Sequence, residues 1–157
     1  MPMTDPVSGG CGCGAIRFEY SGEPVLSLNC HCRDCQHASG SAFASFVVVW
    51  KESFRLRCGE PKYHAKVSDA GNTMRRGFCA ECGSPITILE PHRPKLAFIH
   101  AASLDDPSTY KPTMDIFTAS AHPWDVMNPK LEKFAGMPPV PDSLGRCVAC
   151  LVVVSGN

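Results

Sequence analysis

The chain has 157 residues, with 15 lysines and arginines against 15 aspartates and glutamates, and 10 cysteines. Zero formal charge excludes the basic excess with which backbone-tracking nucleic-acid binders meet phosphate, and gives no pull toward an anionic membrane surface. No stretch reaches the roughly 18 apolar residues that span a bilayer, and M-P-M-T-D-P-V-S-G-G lacks the basic start and apolar run of a secretory signal.

A single soluble, cytoplasmic domain is expected, in which bunched thiols read as metal ligands or catalytic groups rather than disulfides. In chain order, G-G-C-G-C-G (9–14) comes first, a glycine-flanked C-x-C. A-I-R-F-E-Y (15–20) alternates apolar and polar residues as a half-buried strand does, and S-G-E-P then turns the chain. V-L-S-L-N (25–29) is a strand leading into C-H-C-R-D-C (30–35). R-D-C-Q-H-A-S-G (33–40) suits a short helix stopped by Gly40, because glycine readily takes the left-handed conformation after a helix. Strands follow at 41–50, 54–58, 62–67, 73–78, 85–90, 95–100 and 113–118, with D-A-G-N (69–72) as turn material between two of them. Nine short strands and little helix predict an all-β fold, a sandwich of two packed sheets of short antiparallel strands. The fold is expected to occupy residues 1–136. Residues 137–157, proline-rich and then C-V-A-C-L-V-V-V-S-G-N, read as a tail outside it, with Cys147 and Cys150 as incidental thiols.

R-G-F-C-A-E-C-G-S-P (76–85) has the form of a zinc knuckle. A C-x-x-C turn aims both sulfurs inward, and Gly83 supplies the positive φ that the turn needs. A closed structural zinc takes four ligands, and Cys11 and Cys13 offer the pair that Cys79 and Cys82 lack. The ion would then pin the first strand to the middle of the sheet. The rival arrangement pairs the knuckle with Cys30, Cys32 and Cys35 instead. If the first arrangement holds, that triplet is left with three ligands and one open position, as in a catalytic zinc site. Three thiolates make the ion a weak Lewis acid but a good acceptor of a soft substrate thiolate, whose pKa it would lower. Addition of a thiol to an aldehyde, or its reverse, is the chemistry this suits.

Other residues carry weaker signals. On an extended backbone His31 faces away from its two cysteine neighbours, which makes it a packing or supporting residue rather than a base. Asp34 and His37 read as polar positions on the short helix, Cys58 and Trp124 as core residues, and Arg75 with Arg76 as a solvated pair at a strand end.

G-G-C-G-C-G-A-I-R-F, C-H-C-R-D-C-Q-H-A-S-G, F-C-A-E-C-G-S-P, and the later L-D-D-P and P-W segments resemble, in order and spacing, the glutathione-dependent formaldehyde-activating enzyme family, which includes centromere protein V. The resemblance runs from about Gly9 to Gly136. It implies an Mss4-like zinc-containing β fold, a structural Zn2+ on Cys11, Cys13, Cys79 and Cys82, and a catalytic Zn2+ on Cys30, Cys32 and Cys35. It further implies a carbon–sulfur lyase that forms S-hydroxymethylglutathione from glutathione and formaldehyde. The partners are then a small-molecule thiol and aldehyde, with no nucleic acid and no membrane, and the oligomeric state is left open. Two alternatives stand beside it. A non-catalytic zinc module would bind a protein partner, and a methionine sulfoxide reductase of similar fold would keep the triplet free of metal.

Overall fold

A computed structural model describes residues 5–139, so Cys147, Cys150 and the rest of the tail from 140 onward lie outside the described residues. The strands follow from alternation. In β2 (Arg17–Tyr20), Phe18 and Tyr20 turn inward while Arg17 and Glu19 turn out. The chain continues through β3 (Leu26–Cys30), α1 (Arg33–Ser39), β4 (Ala44–Trp50), β5 (Phe54–Cys58), β6 (Lys62–Val67) and β7 (Thr73–Phe78). It closes with β8 (Pro85–Leu89), β9 (Leu96–His100) and β10 (Met114–Ile116). These cover every strand that the sequence pattern predicts, and α1 ends as expected on Gly40 at φ 65°.

Two strands have no such pattern. β1 (Val7–Gly10) reads V-S-G-G and pairs antiparallel with β2, with Val7 as its one apolar side chain. Gly9 is required there, because a Cβ would lie 2.4 Å from both the Phe18 ring and the Ser103 carbonyl oxygen. β11 (Glu132–Lys133) is two exposed charged residues long, too short to leave a signal.

The strands form a three-stranded sheet, β1-β2-β5, and an eight-stranded sheet, β11-β10-β3-β4-β9-β8-β7-β6. The expectation of antiparallel strands throughout needs one correction. β10 runs parallel to both β3 and β11, because a long connection after β9 returns the chain in the direction of β3. Between the sheets lies a core of Phe18, Tyr20, Val47, Val49, Ile86 and Ile99. The opposite face of the large sheet is apolar too. Phe46, Ile88 and Ile116 are buried there with Phe98 and Met114 packed against them, although among the described residues no second sheet covers that face. β4 serves both layers, which explains its near-continuous apolar run S-F-V-V-V-W.

Two residues read as core are not. Cys58 is exposed, because β5 forms an edge of the small sheet and only Phe54 reaches the core. Trp124 is 67% exposed and stacks flat on His122 at 5.0 Å.

His100, buried at the end of β9 with its ring 4.7 Å from that of Phe46, carries a pH prediction. Burial, helped by the Arg76 charge, holds its pKa down at about 4 from the usual 6.5. The folded state therefore refuses a proton that the unfolded state accepts. The stabilisation is complete above pH 6.5 and is lost as pH falls from 6.5 toward 4, for a total of about 3 kcal/mol. Urea denaturation should show a shallower loss of stability between pH 7 and 5 for His100→Gln than for the wild type. Equal slopes would exclude this role.

Candidate metal centres

Cys11 and Cys13 follow β1, and Cys79 and Cys82 follow β7, yet their four sulfurs all lie within 4.8 Å of one another. Cys13 stands 3.5 Å from Cys11 and 3.8 Å from Cys79, sulfur to sulfur. Tetrahedral zinc with bonds of about 2.3 Å sets its sulfurs roughly 3.8 Å apart, so the geometry fits that ion. Local turns build each half. The Gly83 N–H donates to the Cys79 carbonyl (2.8 Å) with Gly83 at φ 76°, and the Cys79 N–H donates to the Ser84 carbonyl (2.9 Å). The Ile16 N–H donates to Cys11 Sγ at 3.2 Å. Hydrogen bonds from the Ser84 hydroxyl and backbone bring Cys82 down to about 5. An ion here would join the two sheets, a correction to the expectation that it pins the first strand within one sheet: β1 belongs to the small sheet and β7 to the large one.

The triplet forms its own group, Cys30, Cys32 and Cys35, with sulfurs likewise within 4.8 Å; the knuckle's sulfurs are not part of it. Cys30 ends β3, and Cys32, two residues on, points to the same side. Cys32 then caps α1, its sulfur accepting from the Cys35 N–H at 3.3 Å, and the first helical turn brings Cys35 over it. Hydrogen bonds from the Cys30 and Cys35 thiols, the Cys35 N–H and the charge of Arg76 pull Cys32 down to about 2. The contacts with Cys32 and Cys35 push Cys30 the other way. A metal-ready thiolate among its neighbours is what this arrangement offers. The chemistry of three soft sulfurs suits zinc.

His31 points away from the triplet, as an extended backbone requires, and is fully buried. Its Nε2 lies 3.0 Å from Asp115 Oδ1, and its Nδ1 lies 2.8 Å from Asp125 Oδ2. Asp115 also accepts from Asn29 Nδ2 at 3.0 Å and pairs with Lys133 Nζ at 2.9 Å. Burial works against its charge, but His31, Lys133 and Asn29 together hold its carboxyl below the usual range. This clasp joins β3, β10, β11 and the loop after P-W, fixing the backbone that carries Cys30 and Cys32. Sequence reading missed both aspartates. An aspartate inside the apolar strand T-M-D-I-F was the available signal.

Asp34 is tied to Lys66, and His37 lies 3.2 Å from Arg33, so both are engaged as polar positions on α1. Arg75 is exposed over the Tyr63 ring at 4.8 Å, as expected of a solvated residue. Arg76 corrects that reading. It is half-buried, it lines the cavity beside the triplet, and its Nε is buried with no hydrogen-bond partner among the described residues. Adjacent residues of a strand face opposite ways, which separates the two arginines.

That cavity, of about 500 Å³, takes in Cys30, Cys32 and Cys35 together with Phe46, Phe98 and Met114. Met137, Pro138 and Pro139 also line it.

The family model described as glutathione-dependent formaldehyde-activating enzyme matches residues 6–120. A protein of Halomonas elongata named "Putative glutathione-dependent formaldehyde-activating enzyme" is 27% identical over 103 residues, covering 63% of this chain. The match spans 66% of that relative's length, just under two thirds. The crystal structure of a Rhodobacter sphaeroides protein, a structural-genomics target, superposes with a TM-score of 0.50 at 19% identity, over 62% of this chain and 87% of that one. It is a likeness of fold.

Proposed function

The chain belongs to the glutathione-dependent formaldehyde-activating enzyme family, and on that premise we propose that it joins a thiol to a small aldehyde, and reverses the joining, at Cys30, Cys32 and Cys35. The observation that carries this reading is a cluster of three sulfurs lining a cavity large enough for a substrate. Glutathione and formaldehyde are the substrates that the family description supports, and carbon–sulfur lyase is the matching reaction class.

Zinc bound by the three thiolates would supply an open position for the substrate thiol and lower its pKa, so that sulfur reaches the aldehyde as the nucleophilic thiolate. The sulfur–carbon bond forms as the C=O π pair moves onto oxygen, and that oxygen takes up the proton that the thiol released. Arg76, beside the triplet and with its Nε unpartnered among the described residues, would meet the developing oxygen charge. The apolar wall keeps water from the reacting carbon. The His31 clasp holds the strand end from which two of the cysteines project. Cys11, Cys13, Cys79 and Cys82 would hold a second, structural zinc. All eight described cysteines are free thiols, which suits a reducing, cytoplasmic setting. No helix among the described residues is long and apolar enough to cross a membrane.

Exchange NMR of a glutathione and formaldehyde mixture tests the reading. The zinc-loaded protein should accelerate exchange, and Cys32→Ser should reduce the acceleration by at least roughly 100-fold while the metal content falls from two ions per chain to one. Two bound zincs without acceleration would overturn the substrate assignment.

A further inference from the structure

We infer that one reactant at the triplet carries an apolar body of several carbons, so that the site acts on an alkyl or aryl thiol or aldehyde larger than formaldehyde. The inference rests on the thiol–aldehyde reading above and specifies its substrate class.

The cavity around the three sulfurs is built on the face of the large sheet that turns away from the small one. Phe46, Ile88, Phe98, Met74, Met114 and Ile116 supply its wall from five different strands. Formaldehyde has no carbon chain to place against such a surface. Glutathione brings two carboxylates and an ammonium group, and each of these needs a counter-charge on leaving water. The cavity offers few. Arg93 is held by Glu90 at 2.9 Å, Arg33 bonds Gln36 and His37, and His92 lies 3.3 Å from Glu90. Among the described residues of the lining, Arg76 is the arginine whose Nε is left without a partner. The N–H groups of Arg33 are already taken by Gln36, His37 and His122, so two substrate carboxylates would have to break existing contacts to find a second cation. An apolar chain has no such requirement, and it gains free energy with every methylene buried. The volume of about 500 Å³ falls within the ~300–1,000 Å³ of small-molecule sites. Three methionines in the lining, Met74, Met114 and Met137, give it the adaptable surface that unbranched chains fit well.

The decisive measurement is calorimetric titration of the zinc-loaded full chain with ethanethiol, 1-butanethiol, 1-hexanethiol and glutathione. Affinity should rise about fourfold per added methylene, the equivalent of about 0.8 kcal/mol, with 1-hexanethiol binding at least tenfold more tightly than glutathione. Met74→Gln and Met114→Gln should each flatten that dependence with two zincs still bound. The chain-length series stands without the variants if they fail to fold. Exchange NMR then identifies which reactant bears the chain, comparing hexanal with glutathione against formaldehyde with 1-hexanethiol. Faster exchange in either arm than with glutathione and formaldehyde supports the inference. Chain-length-dependent binding without exchange in any mixture would leave the apolar occupant standing and remove the thiol–aldehyde chemistry. Affinity independent of chain length, or tightest for glutathione, would overturn the inference. So would no binding at all.

Discussion

Cys79→Ser is expected to lower the melting temperature by 10 °C or more, and treatment of the wild type with a strong chelator should have the same effect. Cys79 is 1% exposed and belongs to the core between the sheets as well as to the four-sulfur cluster. A serine there would place a hydroxyl in a buried sulfur position and leave three ligands where a closed site needs four. The small sheet meets the large one over a core that includes Cys11 and Cys79, so losing an ion held there would weaken the docking of β1, β2 and β5 as a unit. Structural zinc contributes about 10–16 kcal/mol in small zinc-folded peptides. Even a loss of about 5 kcal/mol corresponds to 10–20 °C in a domain of this size. Calorimetry with metal counting on Cys79→Ser decides the matter. An unchanged melting temperature with one zinc fewer would show that the fold holds without the ion.

His31→Ala should cost about 3–5 kcal/mol, because it leaves two buried carboxylates without the group that lies between them. Asp115 keeps Asn29 and Lys133, whereas Asp125, 6% exposed at its side chain, loses the His31 ring that stands 2.8 Å from it. A merely structural cavity would not explain the second expected effect. Zinc affinity at the triplet should fall by about 10–100-fold, since the clasp fixes the backbone on either side of His31. Adding Asp125→Asn to His31→Gln, which removes the Asp125 carboxylate and leaves two neutral amides facing each other, should recover part of the stability. Denaturation and zinc-competition titrations measure both quantities. A His31→Ala protein with wild-type stability and wild-type zinc affinity would remove the clasp from the account.

Much of the fold was legible because its signals are local. A-I-R-F-E-Y and K-L-A-F-I-H state their strands by alternation, and Gly40 and Gly83 state their turns by the positive φ each adopts. β1 left no signal, because V-S-G-G is selected by how closely Phe18 and Ser103 approach Gly9, not by any pattern of its own. Arg75 and Arg76 look alike in sequence, and only the register of β7 against β8 sends one to solvent and the other to the cavity. Trp124 and Cys58 were misplaced for a related reason: residue type suggests burial, but position at an edge or on a loop decides it.

What the sequence determined by itself is the chemistry available. Seven cysteines spaced as C-x-C, C-x-C-x-x-C and C-x-x-C define ligand types and local turn geometry, because two- and three-residue spacings fix where neighbouring sulfurs can point. The tertiary structure decided which of those pieces meet. It brought Cys13 against Cys79 across 66 positions, set His31 between Asp115 and Asp125, and surrounded the triplet with an apolar wall drawn from five strands. None of these follows from local pattern. Each depends on strand order and on which face of the large sheet a side chain occupies, and those are fixed only when the whole chain packs.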